Sequence, residues 1–202
     1  MALNDQNTYL ILTKRPQYMF EHVLISEWRG SMNHVWHGLT VCNQQELDEK
    51  IPIFLQVPGK KFLSIEPMLG PVEINFLHLT GYSVPDMYDG QGRKFPAKTY
   101  DGIDAVILGG ETGPGARPLH PNWVRSIKDQ CADAGVDFFF KQWGEWAPSR
   151  YEIVEGCVNH TNGHYHYEFD PTCEGAWQKL GRKKSGRLLD GRTHDDLPWV
   201  KS

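Results

Sequence analysis

Five strand-length apolar runs, separated by segments long enough to cross back over a sheet, constrain this chain more than any other feature. They are Thr8–Leu12, Val35–Val41, Phe62–Ile65, Ala105–Leu108 and Val136–Phe140. Several are apolar nearly throughout rather than alternating, the pattern of strands buried on both faces in a parallel sheet. A parallel neighbour is reached only through a crossover, most often a helix. Gln17–Trp28 and Gln44–Val57 are crossover candidates, with Pro52 expected to break or restart the second. Asn122–Ala134 has the clearest helical signature. Pro121 stands at its first turn, Trp123, Val124, Ile127, Cys131 and Ala134 share a face, and Gly135 supplies the stop. The helix runs straight into Val136–Phe140, the return expected in a β/α barrel or a doubly wound sheet.

Such a sheet needs a core, and 40% of the 202 residues are hydrophobic against 23% charged, an ordinary globular balance. The formal net charge of −4 exerts no global pull toward nucleic acid or an anionic membrane, while leaving room for a local basic patch. No apolar run approaches the roughly 20 residues that span a bilayer, and the first residues do not read as a signal peptide. The cysteines, Cys42, Cys131, Cys157 and Cys173, are sparse and expected to be reduced in a cytoplasmic protein. Ser83–Asp101 reads as an inserted loop. Ala147–Trp177 has no clear periodicity, and Leu180–Ser202 reads as a docked tail. The expected organisation is therefore a β/α unit over residues 1–146 and a C-terminal extension over 147–202 packed on it.

In parallel β/α folds all strand C-termini point to one end, where ligands bind. Lys14 and Arg15 follow the first run, His37 and Thr40 lie within the second, and Glu66 follows the third. Gly109, Gly110, Glu111 and Arg117 follow the fourth, and Lys141 and Gln142 the fifth. Charges at the ends of buried strands are costly to desolvate unless they pair or bind something. Two readings stand: a structural salt-bridge network, or a polar ligand site. The glycine-rich Gly109–Gly115 stretch permits close backbone approach and exposed N–H groups suited to an anion, or a plain turn. Its spacing matches neither a Walker loop nor a dinucleotide fingerprint. Cys157, His160, His164, His166 and Cys173 have the ligand types for zinc, but at the spacing of no standard finger.

Several blocks resemble a known family. Ile11–Pro16, Trp36–Val41, Ser64–Pro71, Gly109–Pro118, Phe138–Trp146 and the tail Gly186–Arg192 are similar to consecutive blocks of the phage gp thirty-seven/gp sixty-eight family. That family is described as phage- and prophage-associated and of unknown function. The resemblance implies a barrel similar to those of radical S-adenosylmethionine proteins. In complete members an N-terminal group of three closely spaced cysteines would suit an iron–sulfur cluster with S-adenosylmethionine. Here no two cysteines lie within ten positions of each other. The expectation is thus an α/β fold, an incomplete (β/α)8-type barrel of about five parallel strands. No cofactor is expected for this chain alone. It is read as the C-terminal part of a radical-type protein, inactive alone and completed by an N-terminal half-barrel polypeptide or by self-association. The alternative is a stand-alone binding module for a small anion, nucleotide or nucleic acid end.

Overall fold

The computed structural model describes residues 7–25, 34–88, 90–148 and 177–200. Its centre is a five-stranded sheet of β1 (Tyr9–Thr13), β2 (Val35–Thr40), β3 (Lys60–Ile65), β8 (Ala105–Gly109) and β9 (Asp137–Gln142). The spatial order is β1-β2-β3-β8-β9, and every neighbouring pair is parallel. Along the chain this order never doubles back. The crossovers carry α1 (Pro16–Ile25), α2 (Gln44–Phe54), the short α3 (Phe76–Thr80) and α4 (Pro121–Ala134).

Alternation along the strands separates two faces. Leu39, Val41, Leu63, Ile65, Val106, Leu108, Phe138 and Phe140 share one core with Met19 of α1, Leu47, Ile51 and Phe54 of α2, and Val124, Ile127 and Cys131 of α4. Helices α1, α2 and α4 thus all cover the same face. On the other face Trp36, Phe62 and Ala105 form a smaller cluster, against which Ile107 and Trp199 pack. Gly38 belongs to this face because the Phe62 ring lies over it: a Cβ there would stand 2.3 Å from the ring.

Helix α4 follows its sequence signals closely. The His120 ring accepts the Asn122 N–H, Pro121 opens the first turn, and Gly135 closes the helix at φ 68°. The Val136 N–H donates to the Cys131 carbonyl, so the chain turns directly into β9. Helix α2 differs from expectation, since it runs through Pro52 to Phe54. Pro52 lies in the last turn, where one N–H is lost, and the buried Ile51 and Phe54 on either side hold the turn against the sheet. The segment expected to be a plain loop forms an arm of paired short strands: β4 (Tyr82–Val84) with β7 (Lys98–Tyr100), and β5 (Met87–Tyr88) with β6 (Lys94–Phe95).

The C-terminal tail meets the sheet at two places. His194–Asp196 runs antiparallel along the outer edge of β9: the Phe140 N–H donates to the His194 carbonyl and the Asp196 N–H to the Phe138 carbonyl. Trp199 then packs edge-on against Trp36 and tilted against Phe62, at 4.8 and 5.4 Å between ring centres. Ahead of it, β10 (Trp146–Pro148) pairs with β11 (Trp177–Lys179), and α5 (Arg182–Ser185) follows. No helix among the described residues is long and apolar enough to cross a membrane.

Candidate functional site

Because the five strands are parallel, the residues after each one gather at one end of the sheet. The Glu66 carboxylate, just past β3, is held from β9: Lys141 Nζ lies 2.9 Å from Oε2, and Gln142 Nε2 donates to Oε1 at 3.2 Å. A register shift between Leu108 and Gly109 pairs Gly109 with Gln142. Beyond β8, Glu111 receives the Arg117 guanidinium on both oxygens and the Arg117 backbone N–H on Oε2, all at 2.8 Å. This double contact holds the Glu111 carboxyl below the usual carboxylate range.

The glycine loop is built into this end by close packing. A Cβ on Gly110 would stand 1.9 Å from the Trp143 carbonyl oxygen, and one on Gly144 2.2 Å from the Glu111 carbonyl oxygen. Several N–H groups of the loop already have protein partners. Those of Gly110, Gly113 and Ala116 donate to the Gln142 carbonyl, Glu145 Oε1 and the Gly113 carbonyl. The Trp146 indole N–H donates to the Ala116 carbonyl.

Cys42 lies just beyond β2. Burial and the Glu46 carboxylate push its thiol up, while Lys14, Lys50 and Arg117 pull it down, which places three cations about this point. Lys50 is paired with Glu46 at 2.9 Å. Lys14 is exposed and has no ion-pair partner among the described residues. Arg15 turns aside over the Tyr18 ring, 5.9 Å from its centre.

A cleft of about 910 Å³ opens outside this end, in the helix layer. Two of its polar wall residues, Gln44 and Gln130, are engaged in stitching the fold, whereas His78 Nδ1 is buried there without a hydrogen-bond partner. Gln44 bonds Asp48 and both backbone groups of Glu73, and Gln130 bonds the Ile74 N–H, the Val72 carbonyl and Ser126.

A family model described as "Protein of unknown function (DUF5131)" matches residues 1–198. The chain belongs to the DUF5131 family. No curated protein and no solved structure matches it.

In this DUF5131 chain, Lys14, Arg15, Thr40, Glu66, Gly109, Gly110, Glu111, Arg117, Lys141 and Gln142 all lie at or just past the C-terminal ends of their strands. His37 stands apart from them. It sits in mid-strand and points to the helix-covered side, where alternation puts it beside Lys61 of β3. There it is 8% exposed, and burial first, then Lys61, hold its pKa below the ordinary value. The weak metal candidates Cys157, His160, His164, His166 and Cys173 lie outside the described residues.

Sequence reasoning passed over the Cys42–Glu46–Lys50 group, although Asn43 followed three residues later by Glu46 is a helix-start signal. Asn43 caps the Glu46 N–H, and Glu46 reaches back to the Cys42 N–H at 3.1 Å. The described thiols lie in different parts of the fold. Cys42 lies past a strand end, and Cys131 is fully buried on the core face of α4. No group of three metal-ligating side chains comes together among the described residues.

Proposed function

We propose that this chain is a binding module that holds a small anion at the C-terminal end of its parallel sheet. The observation that carries this reading is the charge balance there. Lys14, Arg15, Lys50, Arg117 and Lys141 stand there against the carboxylates Glu46, Glu66, Glu111 and Glu145, one more cation than anions in a chain of net charge −4. Lys14 is left without an ion-pair partner among the described residues. Glu66 and Glu111 orient Lys141 and Arg117 and raise the cost of admitting an anion that cannot reach Lys14 as well. The tail supports the stand-alone reading, because it pairs with the β9 edge and covers part of the helix-free face. Five strands in sequential order with their helices on one side fit the wall of a β/α barrel, and the sparse cysteines fit a cytoplasmic setting.

The test is calorimetric titration with inorganic phosphate, a nucleoside monophosphate and a 5′-phosphorylated oligonucleotide, which separates a free anion from a nucleotide and from a nucleic acid end. Losing one charge-assisted hydrogen bond costs about 1.5–3 kcal/mol, so Lys14→Ala and Lys141→Ala should each weaken binding roughly 10–100-fold. Wild type that binds none of the three, or variants that bind equally well, would refute the reading.

A second reading rests on β1, whose Leu10, Ile11 and Leu12 are 45%, 37% and 53% exposed. The chain is then the C-terminal part of a radical-type barrel, with an N-terminal half-barrel polypeptide docked on β1. Co-expression with the N-terminal half of a complete relative should then give a stable complex that melts higher than the lone chain.

A further inference from the structure

The two edges of the sheet are treated differently. The β9 edge is covered by the chain's own tail. The β1 edge pairs with no described strand, and its three central residues are apolar and exposed: Leu10 and Leu12 on the face of Trp36, Ile11 on the face of the helices. Natural sheets blunt such an edge with charge, proline, a bulge or a cover. β1 carries no charge, proline or bulge within Tyr9–Thr13.

We infer that β1 pairs antiparallel with β1 of a second copy, about a two-fold axis through Ile11. Backbone parity favours this register. The Tyr9 N–H donates to the His34 carbonyl at 2.8 Å, so Tyr9, Ile11 and Thr13 turn their backbone groups toward β2. The groups of Leu10 and Leu12 therefore point out of the free edge. A dyad at Ile11 sets Leu10 opposite Leu12 of the copy, and each such pair exchanges two hydrogen bonds, giving four across the axis. The side chains match as well. Leu10 and Leu12 cover their counterparts on one face, and Ile11 meets Ile11 on the other. Charge adds no conflict, because Lys14 and Arg15 come opposite Thr8 and Asn7. The joined sheet has ten strands, and each outer edge is covered by that copy's tail. A contact of one short strand implies a weak, concentration-dependent dimer. This inference does not depend on the strand-end anion site, so either can fail alone.

The full-length chain is tested in two ways. Sedimentation velocity over a concentration series should show wild type passing from monomer to dimer. The double variant Leu10→Lys, Leu12→Lys should stay monomeric, with an unchanged circular dichroism spectrum. Independently, Ile11→Cys should form an intermolecular disulfide under mild oxidation, since a non-hydrogen-bonded antiparallel pair brings its Cα atoms to about 4.5 Å. Thr13→Cys should not link to itself, because the register places it opposite Tyr9. Linked peptides are identified by mass spectrometry, which separates them from those of the native cysteines. Wild type that stays monomeric throughout, or linking as ready at position 13 as at position 11, would overturn the inference. So would a lone chain that is monomeric yet forms a tight complex with an N-terminal half-barrel polypeptide.

Discussion

Gly110→Ala is the substitution with the clearest geometric consequence at the strand-end site. Gly110 is not among the glycines with positive φ, so the cost of a side chain there is steric alone. The added Cβ would lie 1.9 Å from the Trp143 carbonyl oxygen and 2.5 Å from its carbon, whereas ordinary contact begins at 3.4 Å. The Trp143–Glu145 turn would have to retreat by roughly 1.5 Å. Both atoms are backbone, so no side chain can swing away to make room. Two hydrogen bonds span this junction, from the Gly110 N–H to the Gln142 carbonyl and from the Glu145 N–H to the Glu111 carbonyl, each 2.9 Å. Their loss would cost about 0.5–1.5 kcal/mol each. Overpacking of a tight interior adds about 1–3 kcal/mol. The expected destabilisation is therefore about 2–6 kcal/mol, with melting lowered by about 2–4 °C per kcal/mol for a chain of this size. Urea unfolding with linear extrapolation measures it. Gly70→Ala is the control, since a Cβ there meets nothing within 4 Å and no positive φ is at stake. If Gly110→Ala unfolds at the same urea concentration as the control, the close packing of the glycine loop on the Trp143 turn is wrong.

The Glu111–Arg117 pair should show itself in acid. The folded carboxyl titrates below its unfolded value, so its stabilisation is present above the unfolded pKa and is lost as pH falls through the folded one. With side chains 24% and 52% exposed, solvent screening limits the pair to about 1 kcal/mol. Glu111→Gln should cost about that at neutral pH, and the difference should shrink below the ordinary carboxyl pKa of about 4.3. Denaturant titrations at several pH values would expose a difference that stays constant, which would rule the linkage out. Cys131 is fully buried, and burial pushes its thiol up to about 12. It should resist alkylation in the native protein at mildly alkaline pH and react only once the chain unfolds, as read by peptide mass spectrometry. Native labelling at the rate of the unfolded chain would contradict the packing of α4.

The strands and α4 could be read from local signals, because each carries its own chemistry in consecutive residues. Near-continuous apolar runs need burial on both faces. Pro121 and Gly135 act on the backbone where they stand, whatever surrounds them. Pro52 misled for the complementary reason. Its local cost is real, but Ile51 and Phe54 are anchored in the core, and tertiary packing outweighed one lost hydrogen bond. The convergence of Lys14, Glu66, Glu111 and Lys141 on one end followed from parallel direction alone.

What each strand end faces was decided only by the tertiary structure. His37 and Thr40 lie three residues apart in β2, yet alternation sends His37 to the helix side with Lys61 and Thr40 to the face of Ser64. Which of two faces holds the helices is a property of the whole sheet. The pairing of Glu66 with Lys141, 75 residues away, depends on β8 lying between their strands and on the register shift at Leu108. The asymmetry of the edges has the same origin. Nothing in Tyr9–Thr13 marks it as an outer strand, and nothing near Asp195 marks it as a strand partner. Local sequence determines which segments seek a sheet, while the long-range pairing that satisfies their backbone groups determines which edge stays open.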